Sequence, residues 1–236
     1  MTANPHQSGR KTDRQEAIRR EIERREQLLA VPPEKQVYVL DQHHEDQGGP
    51  SSLCLREFRD QKGFCFDDWR RRLAGAPADW MTPEIVCSAD RRPDSEPGDF
   101  GEFSGLFLFS SRAHAALGYL LSRAGVLLPV TSHLGDYVGY RLDAVVDALD
   151  ETRAAVNWSE TVDHRIRWAS SIQRYAFHTE RLGDSPLFRL PVHWQPLVLQ
   201  EFMQAVRDYV LKGFRFCRVW PNSGTGLWWQ QTDNWC

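Results

Sequence analysis

The chain has 236 residues, enough for one sizeable domain or two small ones, and 41% of them are hydrophobic, an ordinary share for a chain that buries a core. Lys and Arg number 29 against 32 for Asp and Glu, a formal net charge of -3, which excludes the basic footprint of a general nucleic-acid binder. Residues 1–27 hold no apolar run of signal-peptide type and no later segment is apolar for the length a bilayer demands, so a cytoplasmic protein without membrane contact is expected.

Residues 12–29 open with a capping-box pattern, Thr12 followed by Gln15, and continue in strong helix formers. Their apolar positions (Ile18, Ile22, Leu28, Leu29) make only a thin stripe, which predicts a charged, solvated helix lying on the main domain. VPPEK at 31–35 breaks it. QVYVL at 36–40 alternates like a strand, and SSLCLREF at 51–58 is expected to be its hairpin neighbour across a polar connection. DDWRRRLAG at 67–75 reads as a short helix stopped by glycine. Residues 89–105 read as a long acidic loop carrying Asp94, Glu96, Asp99 and Glu102.

In the second half GLFLFS is a buried-strand run. The helix that follows carries Ala113, Ala116, Leu117, Leu120, Leu121 and Ala124 on one face, and extended VLLPV resumes after Gly125. PLVLQEFMQAVRDYVLKGFRFCRVW at 196–220 repeats the plan: an apolar strand, a helix with Phe202, Ala205, Val206, Tyr209 and Val210 on one face, Gly213, and another strand. Two strand–helix–strand modules follow from this, either an old duplication or a common local solution. With further extended stretches at RYAFHTERL and PLFRLPV, the fold class is mixed α+β, with helices packed on a sheet. The tail over 221–236 is dense in Trp, and Trp228, Trp229 and Trp235 either cover the core or meet a partner.

Between the modules, GDYVGYRLDAVVDALDE poses the question of its acids. Read as a helix, 142–151 puts Leu142, Val145, Val146 and Leu149 on one face and Asp143, Asp147, Asp150 and Glu151 on the other, where they face water or a basic partner.

Enzyme signatures are absent: the chain contains no G-x-S-x-G elbow, Walker loop, H-E-x-x-H or G-x-G-x-x-G. His43, His44, Glu45 and Asp46 are metal-ligand types, but neighbours on an extended segment point to opposite faces, so a solvated loop is the better reading and no cofactor is expected. Cys65 or Cys87 with His114 or His133 would make a nucleophile and base only if folding brought them together. The five cysteines (those two with Cys54, Cys217 and Cys236) form no C-x-x-C pair, which points to reduced thiols.

The succession GLFLFSSRAHAALGYLLSRAGVLLPV, YVGYRLDAVVDALDE, RYAFHTERLGDSPLFRLP and LVLQEFMQAVRDYVLKGFRF resembles a family of bacterial immunity proteins encoded beside polymorphic toxins, and QVYVL is similar to that family's first strand. The resemblance covers about 36–220, leaving a charged extension over 1–35 and the Trp-rich tail. It implies a non-enzymatic antidote that binds a cognate secreted toxin, in contact-dependent or type VI secretion settings. It brings no catalytic residues and does not fix the toxin. Should the toxin be a basic nuclease, the acids at 143–151 and 94–102 and the pair Trp228 and Trp229 are the expected contacts. The rival readings are a metal-dependent or thiol hydrolase acting as a toxin-modifying antidote, and a secretion adaptor or chaperone docking through the amino-terminal helix.

Overall fold

The strand over 36–40 forms where its alternation places it, but with other partners than expected. In the computed structural model, which describes residues 18–19, 31–42, 53–60, 63–75, 77–87, 97–159 and 167–221, β1 (Val37–Gln42) lies between β12 (His193–Leu199) and β13 (Phe214–Trp220), antiparallel to both. β11 (Leu187–Leu190) completes a sheet of order β11-β12-β1-β13. Val37, Tyr38, Val39 and Leu40 are all buried. A strand buried on both faces sits mid-sheet, which corrects the expected hairpin with 51–58. That segment instead gives the short β2 (Leu53–Leu55), paired with β3 (Glu84–Cys87), which takes β7 (Thr131–Ser132) in parallel.

The other large sheet runs β4-β5-β8-β6, from β4 (Phe100–Phe103), β5 (Leu106–Ser110), β8 (Tyr137–Leu142) and β6 (Gly125–Pro129). β4 falls inside the stretch expected to be a loop. Ser104 and Gly105, at φ 46 and 89, make the tight positive-φ turn that lets Phe100–Phe103 fold back on β5. A two-stranded ribbon of β9 (Ala155–Ser159) and β10 (Trp168–Arg174) is the fourth sheet. Four α-helices are described besides the helical pair Ile18 and Arg19: α1 (Arg56–Arg59), α2 (Phe66–Ala74), α3 (Ser111–Leu121) and α4 (Gln200–Asp208). The protein is therefore mixed α+β and mostly strand. No helix of the described residues is long and apolar enough to cross a membrane.

α3 starts where Ser110 Oγ accepts the Ala113 amide at 3.1 Å, and every apolar residue of its predicted face is buried. α4 buries Phe202, Ala205 and Val206 but stops at Asp208. Tyr209 and Val210 consequently leave the predicted face for solvent, Val210 at φ +50 and 68% exposed. One apolar cluster joins both helices to both large sheets, holding Leu117, Phe109 and Tyr140 with Phe202, Leu40 and Phe214. The two sheets share a register. Leu108, Gly139 and Leu128 lie abreast in one, and Leu197, Val39 and Cys217 in the other.

Residues 143–154 are not a helix. The amides of Asp143 and Ala144 bond to the Ala124 carbonyl, Val146 bonds to Arg189, and Asp150 bonds to Ala176. Asp and β-branched Val are weak helix formers, so distant carbonyls outcompete the local ones, and the segment runs extended past two isolated bridges, Val145 to Arg189 and Leu149 to Phe177. The rest of the helix expected over 12–29, the segment His43–Asp46 and the tail beyond Pro221 lie outside the described residues.

Candidate partner-binding surface

The segment Phe58–Met81, from α1 past α2, places large apolar side chains in solvent. Phe58, Phe66 and Met81 are 41%, 48% and 61% exposed, and Met81 lines a cleft of about 430 Å³ together with Phe64, Cys65 and Trp69. Local physics explains the ridge. α2 carries Asp67 and Asp68 in its first turn and Arg71 and Arg72 in its last, each opposing the helix dipole favourably. Only Trp69 faces wholly inward, its indole N–H donating to the Ser104 carbonyl at 3.2 Å. Around it the rings interlock edge to face, Phe64 on Phe66 at 4.9 Å and Phe58 on Phe64 at 5.4 Å between centroids, with Phe58 on Phe103 at 5.0 Å. The ridge is thus stiff, yet one side of it has no protein against it among the described residues.

The rim of the cleft is charged but balanced. Arg72 reaches Glu57 at 3.5 Å, donates to the Met81 carbonyl at 3.0 Å and lies 5.6 Å from the Trp69 ring centre, while Arg71 pairs with Asp68. On the far side of α1 a smaller cleft of about 240 Å³ is crossed by a two-toothed Arg56–Glu84 pair at 2.6 and 2.7 Å. Exposed apolar side chains inside a ring of paired charges have the composition of an interaction hot spot, and burying one such side chain against a partner is worth about 1.5–3 kcal/mol.

The acids expected to meet a partner are mostly engaged within the chain. Asp143 takes both Nε and Nη2 of Arg141, at 2.6 and 3.1 Å, and Glu151 takes Arg167 at 2.5 Å. Asp150, expected on a solvent face, is instead only 5% exposed. Its carboxylate accepts from the Thr152 hydroxyl at 2.6 Å and the Thr152 amide at 3.1 Å, bonds that hold its pKa below the usual carboxylate value. Asp99 accepts from Ser110 at 2.6 Å, Arg112 at 3.0 Å and the Lys212 amide at 2.8 Å, so it fastens β4 to α3 and to the turn before β13. Glu102 accepts from the Gly105 amide at 2.9 Å and steadies the hairpin turn. Asp147 is exposed and makes no hydrogen bond or ion pair among the described residues. Asp94, Glu96, Trp228 and Trp229 lie outside the described residues.

Among the described residues the other candidates are not assembled either. Cys65 is a free, exposed thiol on the aromatic ridge and forms no hydrogen bond with His114 or His133; the Cys87 side chain lies outside the described residues. His133 sits 3.9 Å from Glu84 instead. Among the described residues no group of three or more His, Cys, Asp or Glu could hold a metal ion. What sequence reasoning missed is the ridge itself. Its signal was present as GFCFDDW, where Phe64, Phe66 and Trp69 stand among charges at a density that one short helix cannot wholly bury. No family model matches the chain, and a search of curated proteins finds no match either.

Proposed function

We propose that this chain is an immunity protein, a non-enzymatic cytoplasmic antidote that neutralises a cognate secreted antibacterial toxin by stoichiometric binding. The observation that carries the reading is the exposed ridge of Phe58 and Phe66 with Met81 beside them, its Phe58 ring braced by Phe103 and Phe103 in turn by Trp69. Rigid aromatic anchors hold a partner at low entropic cost and slow its dissociation. The order of sequence motifs over 36–220 supports the same reading, with 1–35 and 221–236 as extensions of the binding domain. In this reading the toxin meets the ridge first, and the acids that pair internally serve the fold. The reading extends to architecture: α3 and α4 lie as a layer on the large sheets, and the two strand–helix–strand modules are copies of one unit, which their matching strand order supports.

The test is co-expression of this chain with the toxin encoded by the adjacent gene. The wild-type chain is expected to rescue growth and to co-purify with the toxin. Phe66→Asp combined with Met81→Asp is expected to abolish both while leaving the thermal transition within a few degrees of wild type. Rescue by the double variant at wild-type level would remove the ridge from the interface, and a catalytic amount of antidote sufficing for rescue would overturn the binding mechanism.

A further inference from the structure

Taken in chain order, each half of the protein runs through the same parts: a first strand, a hairpin, a helix and a last strand. Over residues 37–129 these are β1, β4 with β5, α3 and β6; over 137–220 they are β8, β11 with β12, α4 and β13. In both halves the second hairpin strand and the last strand are parallel arms of a helical crossover, and the gap between the arms is one strand wide. The strand that fills each gap belongs to the other half: β8 lies between β5 and β6, and β1 lies between β12 and β13.

The match extends to single residues. Ser110 faces Tyr137 as Leu199 faces Val37, Phe109 faces Val138 as Val198 faces Tyr38, and Leu108 faces Gly139 as Leu197 faces Val39. On the opposite arm Leu128 faces Gly139 as Cys217 faces Val39, and Gly125 faces Leu142 as Phe214 faces Gln42. The arms are therefore 89 positions apart at these pairs, as Ser110 is from Leu199 and Leu128 from Cys217, and the helices begin 89 apart at Ser111 and Gln200; the bulge that sets Val37 opposite Trp220 breaks the match at the end of β13. Register in a sheet is set strand by strand, since a slip of one residue turns every side chain to the other face. Order and register agreeing together mark one design used twice.

We infer that the fold is an internal strand exchange, in which two halves of one design each surrender their first strand to the centre of the other's sheet. The two slots are not interchangeable. At Gly139 an added Cβ would come within 2.9 Å of the Leu128 carbonyl oxygen and of Val130 Cγ1, whereas β1 carries Val39 at the equivalent place. The slot between β5 and β6 therefore admits β8 and rejects β1, which keeps the exchange from reverting. Each half lacks its own centre, and the link between them passes through exposed Gly135. This inference rests on strand pairing and on the space at Gly139, and is independent of the toxin reading.

The test begins with the full chain carrying a protease site inserted at Gly135. After cleavage under native conditions the two pieces are expected to co-elute at the size of the intact protein with an unchanged circular dichroism spectrum, and to part only in denaturant. Each piece alone is expected to show no cooperative unfolding, and mixing is expected to restore it. As a second route, the two pieces co-expressed with a tag on one are expected to purify together, and Gly139→Val is expected to reduce that recovery at least tenfold. Native separation of the cut halves, cooperative unfolding of either piece alone as monomer or homodimer, or undiminished recovery with Gly139→Val would overturn the exchange.

Discussion

Arg141 holds Asp143 with one side of its guanidinium and the end of α2 with the other. While Nε and Nη2 grip the carboxylate, Nη1 donates to the carbonyls of Leu73 and Gly75 at 3.0 and 2.6 Å. Those carbonyls belong to the last turn of α2 and to the residue that ends it, where no further helical amides remain to satisfy them. The acid that looked like a partner contact thus holds the arginine by which β8 fastens the aromatic ridge. Arg141→Met is expected to destabilise the protein by about 1.5–3 kcal/mol, the scale of hydrogen bonds to a charged group. Asp143→Asn is expected to cost less, since it keeps an acceptor. Chemical denaturation of the two variants, read by tryptophan fluorescence, checks the order.

Gly125 leaves no room for a side chain. A Cβ there would stand 2.0 Å from the Arg141 carbonyl oxygen and 2.8 Å from the Tyr140 ring carbon Cζ. Neither can yield: the Arg141 carbonyl belongs to the central strand, and the Tyr140 hydroxyl donates to the Leu121 carbonyl at 3.0 Å in the core. Gly125→Ala is expected to cost more than about 4 kcal/mol, the range reserved for overpacking that the core cannot absorb. Soluble expression close to wild type with an unshifted melting temperature would contradict it.

Val210 offers the opposite case. A β-branched residue at φ +50 is strained, and this one is exposed, so little packing repays the strain. Val210→Gly is expected to raise stability by about 0.5–1 kcal/mol. Calorimetry of the variant should show a higher melting temperature with the unfolding enthalpy little changed.

His193 makes stability depend on mild acid. Burial holds its imidazole pKa below the ordinary 6.5, against a smaller opposing pull from its hydrogen bond to the Ala169 carbonyl at 3.1 Å. Between the folded and unfolded values the unfolded chain binds the extra proton, so stability falls as pH drops through about 6.5 and levels off below the folded pKa. His193→Gln is expected to flatten that part of the profile, measured as urea midpoints from pH 7.5 to 5. An unchanged slope would assign the acid sensitivity elsewhere.

What could be read in advance was whatever depended on near neighbours. The buried face of α3 followed from a period of 3.6 residues, a local property. The place of β1 did not, because its partners at Leu197–Leu199 and Phe214–Trp220 are more than a hundred residues away. At Leu142–Glu151 the apolar spacing fitted a helix, and the choice was made by carbonyls of Ala124, Ala176 and Arg189 that no local pattern announces. The site was hidden for a related reason. Asp99, Asp143 and Glu151 advertise charge in the sequence, but their partners Arg112, Arg141 and Arg167 cancel it in the fold. Phe66, by contrast, resembles a core residue until the helix under it points the ring outward.

The chain between first strand and hairpin is long in both halves, and in the first it bears α1, α2 and the ridge, while in the second it bears the β9–β10 ribbon, whose Trp168 ring lies tilted against exposed Trp194. Both excursions leave a frame whose closure they do not supply. Such a chassis tolerates rewriting of its appendages, so new recognition could be acquired there by insertion and drift while the crossed strands keep the scaffold from coming apart.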